Sequence, residues 1–332
     1  MQGRWRGRRA WRGGVALVLA VGMLGACGVT RGDQSRDITM MIPNSPGGGY
    51  DLTGRTAVRI MEQQDVTGGR FEVTNIIGAG GSVAMAQLMN EPGDEHTMMT
   101  VGLGVVGSTY SFGADYRLQD ATPLAQLIEE QEGILVPADS PFETVDDFVD
   151  AWTSDPGSVT VGGGSSPGGP DHLFPMQLAA ALDIDPREVR YVSYDGGGPL
   201  TSALLGRKID VGFSGLGEFE GQVEDGTLRV LAVSGEERIE RESVADVPTL
   251  MESGIDFSFI NWRGVLAPPD ISTERRDQLV AYLTEMRDTP QWRDALEKNG
   301  WTDAFVTGDD FEAFLQEQDD RVATTLEELG LL

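Results

Sequence analysis

The sequence predicts an α/β protein of two domains, each a mostly parallel sheet flanked by helices. Three observations point there. Strand-like and helix-like stretches alternate along the chain. Glycine-rich loops sit at the strand-to-helix joins, and 332 residues exceed what one hydrophobic core usually serves.

Taken in order, "RDITMMIPN" reads as a strand ended by Pro43 and a glycine run. "YDLTGRTAVRIMEQQ" then places Leu52, Ala57, Ile60 and Met61 at helical spacing. A strand "RFEVTNII", a loop "GAGG", a helix "SVAMAQLMN" and a strand "TMMTVGL" complete the first series. The second series begins after "GILVPADSPFETVDDFVDAWTSDPG". It runs strand "SVTVGGG", helix "PDHLFPMQLAAALDI", strand "VRYVSYD", helix "GPLTSALLGR" and strand "KIDVGFSG". "TLRVLAVSG" reads as a strand returning toward the first series, and "INWRGVLAPPD" opens a closing segment with three helices. The partition is therefore discontinuous, with 36–136 and 255–332 forming one domain and 137–254 the other.

Residues 1–26 have the layout of an export signal. Arg4, Arg6, Arg8, Arg9 and Arg12 precede the apolar run "VALVLAVGML", which is too short to span a bilayer. "LGAC" follows and resembles a bacterial lipobox, so Cys27, the single cysteine, is expected to carry lipid after cleavage. Residues 27–35 read as a linker. A chain with one cysteine has no disulfide to form, and its membrane association is expected through the lipid alone. Without the five leader arginines, 20 basic residues face 53 acidic ones, a net charge of −33. Such a surface argues against nucleic acid, whose phosphates are gripped by basic residues. An anionic ligand would have to be held by local dipoles.

Four loops supply such dipoles: "SPGGGYD", "GAGG", "GGGSSPGGPDH" and "YDGGGP". Each precedes a predicted helix, where unpaired N–H groups and the helix dipole favour an anion without any lysine. Three sharper motifs are weaker. "GYDLTGRT" has Walker A spacing, but Arg55 stands where lysine belongs and Asp51 would repel phosphate. "GLGVVG" has the letters of a dinucleotide fingerprint, but "STYSFGADY" after it does not read as a helix. "GSSPG" places Ser166 as in a nucleophile elbow; His172 is badly placed as its base, and Pro167 removes an oxyanion donor. An exported serine hydrolase is accordingly the weakest reading. With His96 and His172 as the two histidines, familiar zinc spacing is absent, and neither metal nor cofactor is expected.

The loops and their order resemble the extracytoplasmic solute receptors of tripartite tricarboxylate transporters, the Bug or TctC type. The landmarks are "IPNSPGGGYDLTGR", "NIIGAGGSVAMAQL", "ATPLAQLIEEQEGILVPADSPFETVDDFV", "YDGGGPLTSALLGRKIDVGFSG", "ADVPTLMESGIDF" and "WRGVLAPPDIS". The resemblance implies a two-domain, type II periplasmic-binding-protein-like fold with a ligand cleft between the domains. It also implies a monomeric receptor, not an enzyme, that passes a small organic acid to membrane permease subunits. By position, it puts ligand contacts at Gly47, Gly48, Gly49, Asp51, Gly80 and Gly81 on one side. Ser165, Ser166, His172, Tyr194, Gly196 and Gly197 are the corresponding residues on the other. The chain departs from the family at Asp195, where many relatives have lysine. The extra negative charge suits an amino-bearing ligand or a bridging metal ion better than fully ionised citrate, whereas "WRGVLAPP" looks closest to the tricarboxylate-type branch. A receptor for another importer and a ligand-sensing lipoprotein are the alternatives.

Overall fold

Short β-branched and methionine-rich runs, each cut off by glycine or proline, leave the chain few places to put its apolar surface except a helix-covered sheet. The computed structural model describes residues 38–332. The export signal, the lipid site at Cys27 and the linker 27–35 lie outside the described residues.

The first series is β1 (Ile38–Ile42), α1 (Gly49–Gln63), β2 (Phe71–Asn75), α2 (Ser82–Met89), β3 (Thr97–Gly102) and α3 (Leu103–Ser111). The long β4 (Thr122–Pro137) and α4 (Val145–Ser154) lead into the second series. That series is β5 (Thr160–Gly163), α5 (Pro170–Ala181), β6 (Arg190–Ser193), α6 (Gly197–Leu205), β7 (Val211–Gly215), α7 (Glu220–Glu224) and β8 (Leu228–Val233). The chain closes with β9 (Ile260–Ala267), α8 (Thr273–Arg287), α9 (Pro290–Asn299), β10 (Trp301–Thr307) and α10 (Gly308–Glu328).

Each half of the sheet has three parallel strands, β2-β1-β3 in one and β6-β5-β7 in the other. The remaining pairings are antiparallel, so each half is mixed. Strand β4 belongs to both halves: Thr122 to Gln131 pair with β9, with β10 along the other edge of this stretch. From Glu132 onward the same strand pairs with β7 and β8. The sequence reading missed β4 and β10 as strands. It also sent β8 back to the first half, whereas β8 pairs with the Gly133 to Pro137 part of β4.

The chain returns to the first half between β8 and β9. Both crossings meet at Ser234, whose buried hydroxyl accepts from the Glu132 amide at 2.8 Å and donates to the Phe259 carbonyl at 2.6 Å. One apolar cluster joins the halves, with Met41, Met99 and Trp262 beside Phe174, Phe213 and Trp152. Helix α4 shows how local sequence sets a boundary. Thr144 caps it by accepting from the Asp147 amide at 3.2 Å while Asp147 reaches back to the Thr144 amide, and the helix buries Val145, Phe148 and Trp152. Trp152 is fully buried and stacked on Phe148 with ring centroids 5.0 Å apart. Among the described residues no helix is long and apolar enough to cross a membrane.

Trp152→Ala should leave a large cavity and cost about 3–5 kcal/mol, read as a drop in melting temperature of roughly 10 °C.

Candidate functional site

The loops leaving the carboxyl ends of the parallel strands in both halves converge on one cavity of about 50 Å³, room for only a few water-sized groups. Five of the residues expected from sequence line it: Gly49 and Gly80 from the first half, Ser165, Ser166 and Gly196 from the second. Pro43, Asn44, Tyr50, Gly104, Gly164, Pro170, Asp171, Asp195, Glu218, Asn261 and Arg263 complete the wall. Gly48, Gly81 and Gly197 sit in the same loops without lining the cavity. Gly47 and Asp51 face a separate outer groove beside Arg55. Tyr194 packs its ring against Gly162 and the second half's core.

His172 does not line the cavity either. It is 6% exposed, its Nδ1 accepts from the Gly168 amide at 3.2 Å, and its ring meets Tyr191 edge-on. Burial pushes its pKa down to about 4, so it is neutral at physiological pH. No hydrogen bond joins it to Ser166 among the described residues.

Several amides that sequence reasoning offered to a ligand serve the protein instead. Asp51 is buried and accepts from the Gly47 amide at 2.9 Å, from Arg55 Nε at 2.7 Å and from Asn75 Nδ2 at 2.9 Å. It pins the triple-glycine loop. Asp171 takes the Gly164 amide at 2.6 Å, and Glu218 takes the Gly197 amide at the start of α6 at 2.8 Å. By contrast, the first-turn amides of α1, on Gly49, Tyr50 and Asp51, have no protein acceptor among the described residues. A 15-residue helix thus presents its unpaired N–H groups at the cavity edge.

Sequence reasoning missed the residue at the centre. Arg263, on β9, is 5% exposed and pairs bidentately with Glu130 of β4, with Nη2 3.1 Å from one carboxyl oxygen. The same Nη2 is 4.0 Å from Glu218, and the guanidinium lies 5.8 Å from the centre of the Tyr50 ring. A Cβ at Gly49 would collide with this guanidinium, so glycine is what lets α1 begin there. The signal was present: one arginine interrupts the apolar run "INWRGVLA".

Around Arg263 the carboxyl groups outnumber the cation. Burial pushes the Asp171 carboxyl up to about 6, against the hydrogen bonds it accepts from Ser214 and the Gly164 amide. Burial pushes Glu218 up to about 8, with Arg263 partly opposing it and Asp171 and Glu130 adding to it. Glu132 is fully buried, both its carboxyl oxygens lack a partner among the described residues, and burial beside Asp171 and Glu130 holds its pKa well above the usual range. Asp195 faces the cavity and accepts from the Ser45 hydroxyl across it.

The two halves touch around the cavity. Besides the Ser45–Asp195 bond, Ser111 Oγ donates to the Pro167 carbonyl at 2.7 Å, and a Cβ on Gly80 would stand 3.0 Å from Ser166. Gly107 packs on Gly168 so closely that a Cβ would strike the Gly168 carbonyl oxygen. Gly104 and Gly107 of "GLGVVG" therefore serve close approach to Tyr50 and Gly168. The segment is also helical as α3, correcting the sequence reading. Its buried face of small residues allows a helix where polar turn residues follow.

The family model for "Tripartite tricarboxylate transporter family receptor" matches residues 63–331. The chain belongs to this family. Its members are extracytoplasmic solute receptors and not enzymes. The receptor is 26% identical over 326 residues to a UPF0065 protein in the gbd 5′ region of Cupriavidus necator, covering 96% of each chain. Its fold is similar to that of MatC from Rhodopseudomonas palustris with bound malate: TM-score 0.77, 23% identity, covering 87% of the receptor and 98% of MatC. It is also similar to the periplasmic binding protein BugD, at TM-score 0.80 and 20% identity, covering 89% and 98%. The receptor accordingly has a two-domain periplasmic-binding-protein-like α/β fold.

Two outcomes follow from the receptor's cavity. Glu218 and Asp171 hold protons in the folded state that the unfolded chain releases above about pH 4. Their contribution to stability is therefore lost as pH rises from about 4 through 8; His172, buried neutral, contributes in the opposite sense below about pH 6.5, so the net fall is read from about pH 6.5 to 8. The groups facing Glu218 are Arg263, Asp171, Glu130 and the Gly197 amide. Thermal melts of the ligand-free receptor should fall by about 4 °C or more across this window, and Glu218→Gln should flatten the slope. Separately, Gly107→Ala should destabilise by about 1–3 kcal/mol through overpacking. Gly198→Ala, with nothing within 4 Å of its Cβ position, should be near neutral in the same melts.

Proposed function

We propose that the protein is a lipid-anchored extracytoplasmic receptor that captures a small organic acid and delivers it to the permease subunits of a tripartite tricarboxylate transporter. The ligand would lie between two lobes, 36–136 with 255–332 and 137–254. The observation that carries the reading is that Gly49 and Tyr50, first-turn residues of α1 whose amides have no protein acceptor among the described residues, line the same cavity as Ser165 and Ser166 of the opposite half. Neutral N–H groups at a helix start favour a carboxylate, and the hydroxyls across the cavity add directional donors. The likeness to a malate-bound protein supports the same ligand class.

Entry has to be preceded by separation of the lobes, because the cavity is smaller than a dicarboxylate and is closed by the Ser45–Asp195 and Ser111–Pro167 contacts. A ligand that bridges α1 to the second lobe favours the closed form by the affinity difference between the two states. Binding in the micromolar range needs about 8 kcal/mol, within reach of a few charge-assisted hydrogen bonds. Cys27 would keep a monomeric receptor at the membrane that holds its permease, with no disulfide, metal or cofactor required.

Calorimetric titration of the purified receptor with a panel of di- and tricarboxylates, amino acids, sugars and peptides tests this. At least one carboxylate should bind with micromolar affinity and raise the melting temperature. Flat responses to every carboxylate, with a clear response to a sugar or peptide, would overturn the reading.

A further inference from the structure

We propose that the ligand carries a protonated amine as well as a carboxylate, so that the receptor selects an amino acid over the matching plain organic acid. The inference rests on the carboxylate-receptor reading and adds a second pole to the same cavity. Among the described lining residues Arg263 is the one basic side chain, and it is already engaged by Glu130. Asp171, Asp195 and Glu218 also reach the cavity wall, with Glu218 4.0 Å from Arg263 Nη2. A bare dianion would meet three carboxyl groups there and no free cation.

Two further observations show acceptors without donors around the cavity. Asn44, on the wall beside the start of α1, has a buried Oδ1 without a hydrogen-bond partner among the described residues. Glu132 is 0% exposed, with both carboxyl oxygens unpartnered among the described residues. Two residues from Glu130 on β4, it shares that residue's face of the strand, toward Arg263 and Asp171. A buried acceptor without a donor costs free energy that a suitable cation relieves. An ammonium group brings three donors and one positive charge, which favours ionising the Glu218 carboxyl that burial otherwise keeps protonated up to about pH 8, so that it becomes an acceptor.

The cavity's two poles then have separate tasks. The α1 amides with Ser165 and Ser166 take the carboxylate, and Glu218 with Asp171 takes the ammonium. A divalent cation is the weaker candidate for the acidic pole. Among the described residues no group of three or more His, Cys, Asp or Glu side chains is placed to hold a metal ion.

The experiment is calorimetry on the purified receptor with matched pairs: L-aspartate against succinate, L-glutamate against glutarate, and L-alanine against propionate, in metal-chelating buffer. At least one amino acid should bind about tenfold or more tighter than its partner lacking the amine, and Glu218→Gln should collapse that ratio. Circular dichroism and melting establish that the variant is folded. Should it not fold, the wild-type ratio and Asp171→Asn decide. Plain acids that bind as tightly as their amino counterparts would overturn this inference and leave the carboxylate reading standing. No binding by any compound with a carboxylate would overturn both. Binding of plain acids that appears only when magnesium or calcium is added would also overturn it, in favour of a bridging metal ion.

Discussion

The arrangement depends on one buried ion pair. Arg263 and Glu130 meet where β9 and β4 run side by side, one residue before β4 passes from the first half of the sheet to the second. Taking both charges out of water is costly, and the bidentate geometry with the neighbouring Tyr50 ring and Glu218 offsets much of that cost. Burial pushes the guanidinium toward neutrality, yet Glu130 more than compensates, so Arg263 stays charged. Its position then dictates the rest of the site. It excludes a side chain at Gly49, sets where α1 starts, and fixes the single positive charge around which the acidic wall is organised.

That wall alters the meaning of the glycine loops. Amides released by glycine turns are attractive to any anion, including the protein's own. Asp51, Asp171 and Glu218 occupy those of Gly47, Gly164 and Gly197. Those loops are therefore tied by the protein's own carboxyl groups, and what remains available is selective: the start of α1 on one side, and hydroxyls with uncompensated carboxyl groups on the other. Reversible capture suits such a site, because preorganised donors lower the ordering cost without adding a cation that would grip an acid too firmly.

Much of the fold was legible because the parallel strands announce themselves. "ITMMI", "TMMTVG" and "VGFSG" are short apolar runs ended by proline or glycine, and a helix signal follows the first two strands of the first series. β4 was illegible for a physical reason. Its centre reads "IEEQEG", which looks like a solvated turn, yet Glu130 is paired with Arg263 and Glu132 is buried among other carboxyl groups. Long-range pairing overrides local polarity there. At the site, the loops could be seen but not which amides were already spoken for. Asp51 was expected as a ligand contact from the family resemblance, whereas its three hydrogen bonds all stay within its own half. Arg263 was illegible because a lone arginine inside an apolar strand gives no local sign of the carboxyl group it meets on the neighbouring strand.

Ser234 carries a mechanical consequence. Its hydroxyl bolts the two points where the polypeptide passes from one half to the other, so neither passage can shift without the other. Parting of the halves then has to be absorbed as twist in β4 on either side of this rivet. An opening of the proposed kind would then work as a leaf spring with a fixed midpoint, its travel limited by sheet stiffness instead of by linker length.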